Sequence, residues 1–169
     1  MADGWMDRKT GNDGSTSIGS GKYLNFRLGQ EAFSIPVLKV REIIRLRPIT
    51  PVPRMPSCIK GVINLRGKIV AVMDLRKRLE FPPIEYDEHA CIVILQSQEG
   101  ESFGLIVDCV EDVTYIRPED VETPPSLRLD VNAEFVAGLA KAKDGVKIIL
   151  NAHRLLDFTS IQQLLENPS

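Results

Sequence analysis

Three cysteines and two histidines are the residues best suited to nucleophilic or metal chemistry in this chain: Cys58, Cys91, Cys109, His89 and His153. A catalytic cysteine needs a thiol with a lowered pKa and a base within reach. Cys91 and Cys109 fall in apolar runs typical of strand cores. Cys58 could begin a helical turn, but no histidine lies near it in the sequence. No histidine or cysteine pair has the ligand spacing of a zinc site, so we expect no metal.

Motifs for other chemistry are also missing. The sequence contains no glycine-rich phosphate-binding loop and no G-x-S-x-G nucleophile motif. We therefore expect a binding module with no catalytic residues and no cofactor. An enzyme remains an alternative class, and it would require turnover that Cys58→Ala abolishes.

The size and composition of the chain set its class. Its 169 residues are 43% hydrophobic and 26% charged, which suits one folded domain or two very small ones. No apolar run approaches the roughly 18–20 residues of a membrane span, and the N-terminal residues lack the apolar segment of a secretory signal. Three cysteines cannot form a full disulfide framework. These features predict a cytoplasmic protein with no direct membrane contact.

Charge is distributed unevenly along the chain. Residues 39–78 carry eleven Lys or Arg and two acids, whereas residues 80–134 carry fourteen acids and two arginines. This asymmetry is typical of a nucleic-acid surface or of two protein-binding faces of opposite sign, although solvated strand edges also produce it. Single-strand binding relies on aromatic platforms, and the positive stretch contains no aromatic residue. We therefore expect no nucleic acid partner and keep a nucleic-acid-binding small β-barrel as a distant alternative.

Short alternating segments predict a mainly β protein. Residues 1–21, with five of the twelve glycines, predict a disordered N-terminal tail. Residues 22–161 should form the folded domain, and residues 162–169 the C-terminal end. Helix should be limited to short pieces after Asp74, after Asn151 and around Ile161–Leu165. The predicted strands are Tyr23–Leu28, Phe33–Val37, Val62–Leu65, Ile69–Val72, Cys91–Leu95, Phe103–Val107 and Lys147–Leu150.

An internal repeat organises these elements. A shift of 70 positions aligns Phe33 with Phe103 and Glu42 with Asp112, and a shift of 77 aligns Gly61 with Gly138. The helix-capping residues Asp74 and Asn151 also coincide under the second shift. The repeat predicts two β subdomains of about 70 residues, each marginal as an isolated core, which should pack closely or exchange strands.

Turns and connectors differ between the two repeats. Gly67-Lys68 and Asp144-Gly145 are the predicted hairpin turns, and single helical turns are predicted at Ser57–Gly61 and Asn132–Gly138. Proline-rich stretches near Pro51 and Pro124 should be extended and off the sheet ladders. The first hairpin carries an arginine, Arg66, and the second has smaller residues and none. Glu42 is the only acid between Lys39 and Arg66, so we predict an Arg66–Glu42 ion pair.

These segments closely resemble the CheW-type chemotaxis coupling proteins. The residues that carry the resemblance are Lys39-Val40-Arg41-Glu42-Ile43, Ile49-Thr50-Pro51-Val52-Pro53, Ile59 to Gly67 and Asp74-Leu75-Arg76. The resemblance spans roughly residues 22–160, and Ala71 stands where members of the family often have proline. It implies two intertwined five-stranded β-barrels of the SH3 or OB type.

The resemblance also implies a non-catalytic adaptor between two partners: the regulatory domain of the histidine kinase CheA and the cytoplasmic tips of chemoreceptors. A scaffold of the same fold in a non-motility chemosensory system is the alternative. By position, the receptor-binding groove would involve Val40, Glu42, Ile43, Gly61, Arg66 and Cys91. The kinase-binding face, on the second barrel, would involve Phe103, Gly104, Val110 and Val113.

Overall fold

The computed structural model describes residues 21–97, 100–123, 134–143 and 145–155. The tail expected at residues 1–21 lies outside these ranges except for Gly21. The helical turn expected at Ile161–Leu165 and the C-terminal end lie outside them entirely. Gly21 already belongs to the first strand, which begins two residues before the predicted start at Tyr23.

Strands dominate the described residues, and the two α-helices are single turns. Helix α1 covers Leu75–Arg78, and α2 covers Ala152–Leu155. The Asp74 carboxylate caps α1 by accepting hydrogen bonds from the backbone N–H groups of Arg76 and Lys77, as the sequence predicts. The strands are β1 Gly21–Leu28, β2 Glu31–Pro36, β3 Val40–Arg45, β4 Ile59–Leu65, β5 Lys68–Asp74, β6 Cys91–Gln96, β7 Ser102–Val107, β8 Cys109–Ile116, β9 Val121–Glu122, β10 Val136–Ala142 and β11 Gly145–Leu150.

The strands form two sheets, each curled into a barrel. One has the order β3-β6-β7-β5-β4 and is called the five-stranded barrel; the other, β8-β1-β2-β11-β10-β9, is called the six-stranded barrel. The inward residues of the five-stranded barrel share one apolar cluster, including Ile44, Ile63, Val72, Ile94 and Ile106. A second cluster of four residues, drawn from β1, β8, β10 and β11, fills part of the six-stranded barrel.

The two repeats exchange strands, which confirms the intertwined architecture. Hairpin β1–β2 belongs to the first repeat but joins strands of the second, while hairpin β6–β7 of the second repeat joins β3, β4 and β5. Two parallel strand pairs make the crossings. Val72 pairs with Gly104 in one and Ile149 with Ser34 in the other. These pairs coincide under shifts of 77 and 70, so the repeat holds at the level of register.

The β-bulges follow the same repeat. The ladder of β3 with β6 skips Arg41, and the ladder of β8 with β1 skips Glu111. The ladder of β4 with β5 skips Lys60, and that of β10 with β11 skips Ala137. Because a bulge bends its strand and increases the local twist, equivalent bulges give both sheets equivalent curvature.

A third apolar cluster lies between the two barrels and accounts for the continuous hydrophobic runs. The outward side chains of β1 and β6, including Leu24, Phe26, Val93 and Leu95, are buried there. Strand β6 is therefore covered on both faces, and this produces its apolar run. The rings of Phe26 and Phe33 stack at 5.8 Å between centroids. The chain's own side chains thus fill the centre of the junction, and only its rim is open to a partner.

Several sequence predictions are corrected by the structure. Strands β3 and β8 are missing from the predicted set, because the bulges at Arg41 and Glu111 place two charged residues side by side and break the alternation. The helical turn expected at Ser57–Gly61 is shorter than predicted: Ser57 and Cys58 form one turn, in which the N–H of Ile59 donates to the carbonyl of Pro56 at 2.9 Å, and β4 begins at Ile59. The first hairpin turn is Arg66-Gly67, one residue before the predicted Gly67-Lys68, because Leu65 pairs with Lys68. In the second hairpin Ala142 pairs with Gly145, so Gly145 belongs to β11 and not to the turn predicted at Asp144-Gly145.

The proline-rich connector is not wholly off the ladders. Thr50 forms an isolated bridge with Val62, with both backbone N–O distances at 2.9 Å. In the second repeat, β9 pairs with Leu139 and Ala140 at the equivalent place. Strand β9 gives the second barrel its sixth strand, where the sequence predicts five.

Candidate protein-binding surface

Arg66 and Glu42 form the ion pair that the sequence predicts. The Arg66 guanidinium donates to the Glu42 carboxylate. Glu42 lies on β3 and Arg66 in the β4–β5 turn, so the pair joins the two edge strands of the five-stranded barrel. The arginine side chain is 69% exposed and the glutamate 27%. Such an exposed pair adds only about 0–1 kcal/mol to stability, which leaves its groups available for a partner.

The turn conformation aims Arg66 toward β3. Arg66 has a φ of 53° and Gly67 a φ of 86°, the two left-handed residues of a type I′ hairpin. The side chain of Asn64 stabilises the turn by accepting a hydrogen bond from the N–H of Gly67 at 2.8 Å. A non-glycine residue in this region is uncommon and costs free energy. The hairpin therefore holds Arg66 in a backbone conformation that costs free energy.

Two apolar residues predicted to bind the receptor lie beside this ion pair on β3. Val40 is half-buried against the cluster between the barrels, and Ile43 is 40% exposed. Ile43 pairs with Val93 and Val40 with Leu95, so both lie on the face of the barrel that flanks the junction. Glu42 pairs with Ile94, an inward residue, so the ion pair lies on the opposite face of β3 from Val40 and Ile43. We call these two side chains and the ion pair together the β3 rim.

Gly61, also predicted to bind the receptor, is a buried backbone position. It has a φ of 152°, and a Cβ placed there would lie 2.1 Å from the carbonyl oxygen of Thr50. Glycine is required because the proline-rich connector crosses directly over β4. Gly61 therefore supports the position of the connector and is not itself a surface contact.

The residues predicted to bind the kinase separate into two groups. Phe103 is 1% exposed, and a Cβ on Gly104 would lie 2.8 Å from a methyl carbon of Ile92. Both residues belong to β7, so their expected position on the second barrel is wrong; they lie in the five-stranded barrel and serve packing. Val110 is half-buried, and Val113 is 49% exposed on β8.

Val110 and Val113 form the counterpart of the β3 rim. They are the repeat equivalents of Val40 and Ile43 and pair with Phe26 and Leu24, whose side chains face the junction. We call this pair the β8 rim. Cys91 lies next to the β8 rim, because its sulfur interacts with the backbone N–H of Val110. Burial raises the pKa of the Cys91 thiol overall, although this N–H favours the thiolate form. The two predicted sets therefore meet at Cys91.

A buried polar network behind the rims ties the two barrels together. Arg76 of α1 donates from Nε and Nη2 to the two oxygens of Asp108, at 3.0 and 2.7 Å. Asp108 precedes β8 and also accepts from the N–H of Gly29 at 2.6 Å. Burial alone would raise the pKa of Asp108, but the hydrogen bonds from Arg76 and Gly29 and the Arg76 charge together lower it. The carboxylate is thereby held ionised.

Sequence reasoning missed Asp108 and Tyr86. The Tyr86 hydroxyl donates to Asp74 at 2.9 Å, and burial together with the Asp74 charge raises its pKa. Arg76 is part of the family motif, and an arginine 6% exposed requires a carboxylate partner. That requirement indicates that a carboxylate must lie near Arg76. Spacing alone does not identify which of the fourteen acids in residues 80–134 it is.

The three cysteines of the described residues are not activated nucleophiles. Burial raises the pKa of the Cys58 thiol, and also those of Cys91 and Cys109, so these thiols are less nucleophilic than free cysteine. In the described ranges no group of three or more His, Cys, Asp or Glu side chains is placed to hold a metal ion. None of the helices there is long and apolar enough to cross a membrane.

Comparisons with known proteins agree with the fold. Residues 22–160 match the sequence profile of the CheW-like domain. A chemotaxis protein CheW from Klebsiella aerogenes is 33% identical over 80% of this chain and 81% of its own length. The CheW of Bacillus subtilis is 32% identical over 83% and 90%. The crystal structure of a scaffolding protein CheW from Thermoanaerobacter tengcongensis matches with a TM-score of 0.71 and 36% identity, over 78% of this chain and 88% of that one. The chain belongs to the CheW-like domain family.

Proposed function

We propose that this CheW-like chain is a non-catalytic cytoplasmic adaptor that holds chemoreceptor tips and the regulatory domain of the histidine kinase CheA together. The observation that carries the proposal is the β3 rim, an edge strand with exposed Ile43 and half-buried Val40 on one face and the Arg66–Glu42 pair on the other. Apolar anchors on one side of an edge strand, with fixed charges on the other, suit an amphipathic helix laid along that edge. The helical hairpin expected at a receptor tip has that form.

The kinase contact is assigned to the β8 rim. Val113 supplies exposed apolar area, and the neighbouring Glu111 and Asp112 are exposed acids. A small apolar contact bordered by charges matches the composition of a modest interface. Because the β3 and β8 rims are repeat equivalents on different barrels, one chain can hold two partners at once. Several modest contacts in an array then reinforce one another through effective concentration.

Co-sedimentation with a kinase fragment and a receptor fragment tests the proposal. Arg66→Ala should weaken receptor pelleting and leave kinase binding unchanged, whereas Val113→Asp should do the reverse. Lys68→Ala is the matched control for Arg66, since Lys68 is also an exposed cation in the first hairpin region. Failure of the wild-type chain to join kinase and receptor, or equal effects of Arg66→Ala and Lys68→Ala, would contradict the proposal.

The same assay discriminates the alternatives. Binding to receptors of another chemosensory system, with the same dependence on Arg66, would favour the non-motility scaffold. Retention by single-stranded DNA with a strong dependence on salt would favour the alternative of a nucleic-acid-binding small β-barrel.

A further inference from the structure

The interior of the six-stranded barrel differs from that of the five-stranded barrel at equivalent positions. On the inner face of the five-stranded barrel, Ile63 and Val70 are 4% and 2% exposed. Their repeat equivalents, under the shift of 77, are Ala140 and Lys147. The remaining differences follow the same direction, toward small or polar residues: Leu65 becomes Ala142 under the shift of 77, and Ile44 becomes Thr114 under the shift of 70. Asn25 takes the place of Ile94, because the two pair with the equivalent residues Ser34 and Gly104.

These replacements leave a cavity open to solvent at one end of the six-stranded barrel. Its volume is about 640 Å³, within the range of small-molecule sites. Strand β8 forms one wall and the β10–β11 hairpin the other, with Ala32 of β2 between them. Barrels of comparable strand number hold single small ligands in this position. The five-stranded barrel is instead filled by its isoleucines, leucine and valines at the same level.

A polar network lies beside the cavity and reaches it through Asp112 and Thr114, which line it. Ser34 donates to Asn25 at 2.6 Å, and the Asn25 amide donates to Asp112 and Thr114 at 2.8 and 2.9 Å. Asn25 and Ser34 are fully buried. The network uses Thr114 and one Asp112 oxygen as acceptors, so the Thr114 hydroxyl proton and the second Asp112 oxygen remain for a ligand.

The walls carry cations and anions that the protein does not pair internally. Four cations and four acids line the cavity, but several are already engaged, including Arg27 with Glu111 at 2.8 Å and Lys141 with Glu122 at 3.6 Å. Lys143 and Lys147 have no carboxylate within salt-bridge distance in the part of the chain that the structure describes. Lys147 lies on the inward face, between Ala32 and Ala140 in the register.

We propose that this cavity binds a small zwitterion, a molecule with one carboxylate and one ammonium group. The carboxylate would pair with Lys147 and Lys143 and accept from Thr114, while the ammonium would donate to the second oxygen of Asp112. Lys147 is a half-buried residue of the inward face, and an anion bound beside it would supply the charge partner that the described residues do not. A dianion would bring one of its charges against Asp112, and a dication would bring one against Lys147, so neither complements both walls.

Three four-carbon probes separate these chemistries: 4-aminobutanoate, succinate and butane-1,4-diamine. Isothermal titration calorimetry on the full chain, without partners, should give saturable millimolar binding for 4-aminobutanoate and at least about tenfold weaker binding for the other two. Because no receptor or kinase is present, failure here is distinct from failure of the adaptor function.

Two variants place the site. Lys147→Met should weaken 4-aminobutanoate at least about tenfold, whereas Lys68→Met, a control in the other barrel, should leave the dissociation constant unchanged. The double variant Ala142→Leu with Thr114→Ile introduces the equivalent side chains of the filled barrel and should abolish binding. Circular dichroism checks its folding, and Lys147→Met decides the matter if the double variant does not fold. The proposal is overturned if no probe saturates, if the dianion or dication binds equally well, or if Lys147→Met binds like wild type.

Discussion

The five-stranded and six-stranded barrels share register and bulges, and they differ in what fills them. The first has an interior of branched aliphatic side chains and an ion pair between its edge strands. The second has alanine, asparagine, threonine and lysine at the equivalent positions and an open cavity of about 640 Å³. Equivalent bulges and turns therefore give both barrels the same backbone pattern. The inward side chains decide whether the interior of each barrel is packed or contains a cavity.

The largest expected effect comes from the network that ties the two barrels. Arg76→Met should lower the free energy of unfolding by about 3–5 kcal/mol, because it leaves the partly buried Asp108 carboxylate without its cation. Urea titration measures the loss. Arg27→Met is the control, since the Arg27–Glu111 pair is exposed and should contribute no more than about 1 kcal/mol. Equal losses for the two variants would mean that the barrels do not depend on this network.

Matched substitutions in the two interiors test the difference in packing directly. Leu65→Ala should cost about 2–5 kcal/mol, because it opens a cavity in a filled core. The reverse change at the equivalent position, Ala142→Leu, should change stability by less than about 1 kcal/mol, because Ala142 lines the open cavity and there is space to receive the side chain. Thermal unfolding followed by circular dichroism compares the two variants. A loss above about 2 kcal/mol for Ala142→Leu would show that the second barrel is packed after all.

Glycines in the two barrels should differ in the same way. Gly61→Ala should destabilise by about 1–3 kcal/mol, because the added Cβ collides with Thr50 and forces the connector away. Gly145, in the six-stranded barrel, has a φ of 140° and no atom within 4 Å of an added Cβ. Its change to alanine should cost only the backbone strain, about 1 kcal/mol. Chemical denaturation of both variants decides whether contact or strain dominates.

The smallest predicted effect is on the pH dependence of stability. The pKa of Asp108 is lowered in the folded protein, so its contribution is fully present above the unfolded pKa of about 4 and is lost as the pH falls through the folded value. Asp108→Asn should therefore differ most from wild type near neutral pH, and the gap should narrow toward about pH 3. Urea midpoints measured across this range test it. A stability difference that widens in acid would mean that folding does not lower the pKa of Asp108.

Alternating apolar patterns predicted the mainly β fold, and the repeat predicted two subdomains that either pack closely or exchange strands; the intertwined barrels followed from the family resemblance. The Asp74 cap and the Arg66–Glu42 pair were predicted from residue types and positions. Strands β3 and β8 escaped prediction because their bulges place two charged residues side by side, which breaks the alternation. The place of Phe103 and Gly104 in the five-stranded barrel escaped it because the sequence does not say which barrel β7 joins. The sequence indicated the open interior only through the smaller residues of the second hairpin. The residues of β1 and β8 that face the same interior come from distant parts of the chain and are brought there by the strand order.

The central claim is that the β3 rim, through its ion pair, holds a partner polypeptide. Receptor binding by the charge-swapped variants measures this most directly. Arg66→Glu and Glu42→Arg should each weaken binding of a receptor fragment while changing stability by no more than about 1 kcal/mol, and the double swap should recover part of the affinity. Two weakened single variants with no recovery in the double swap would contradict the pairing account, and undiminished binding by either single variant would contradict the role of the rim.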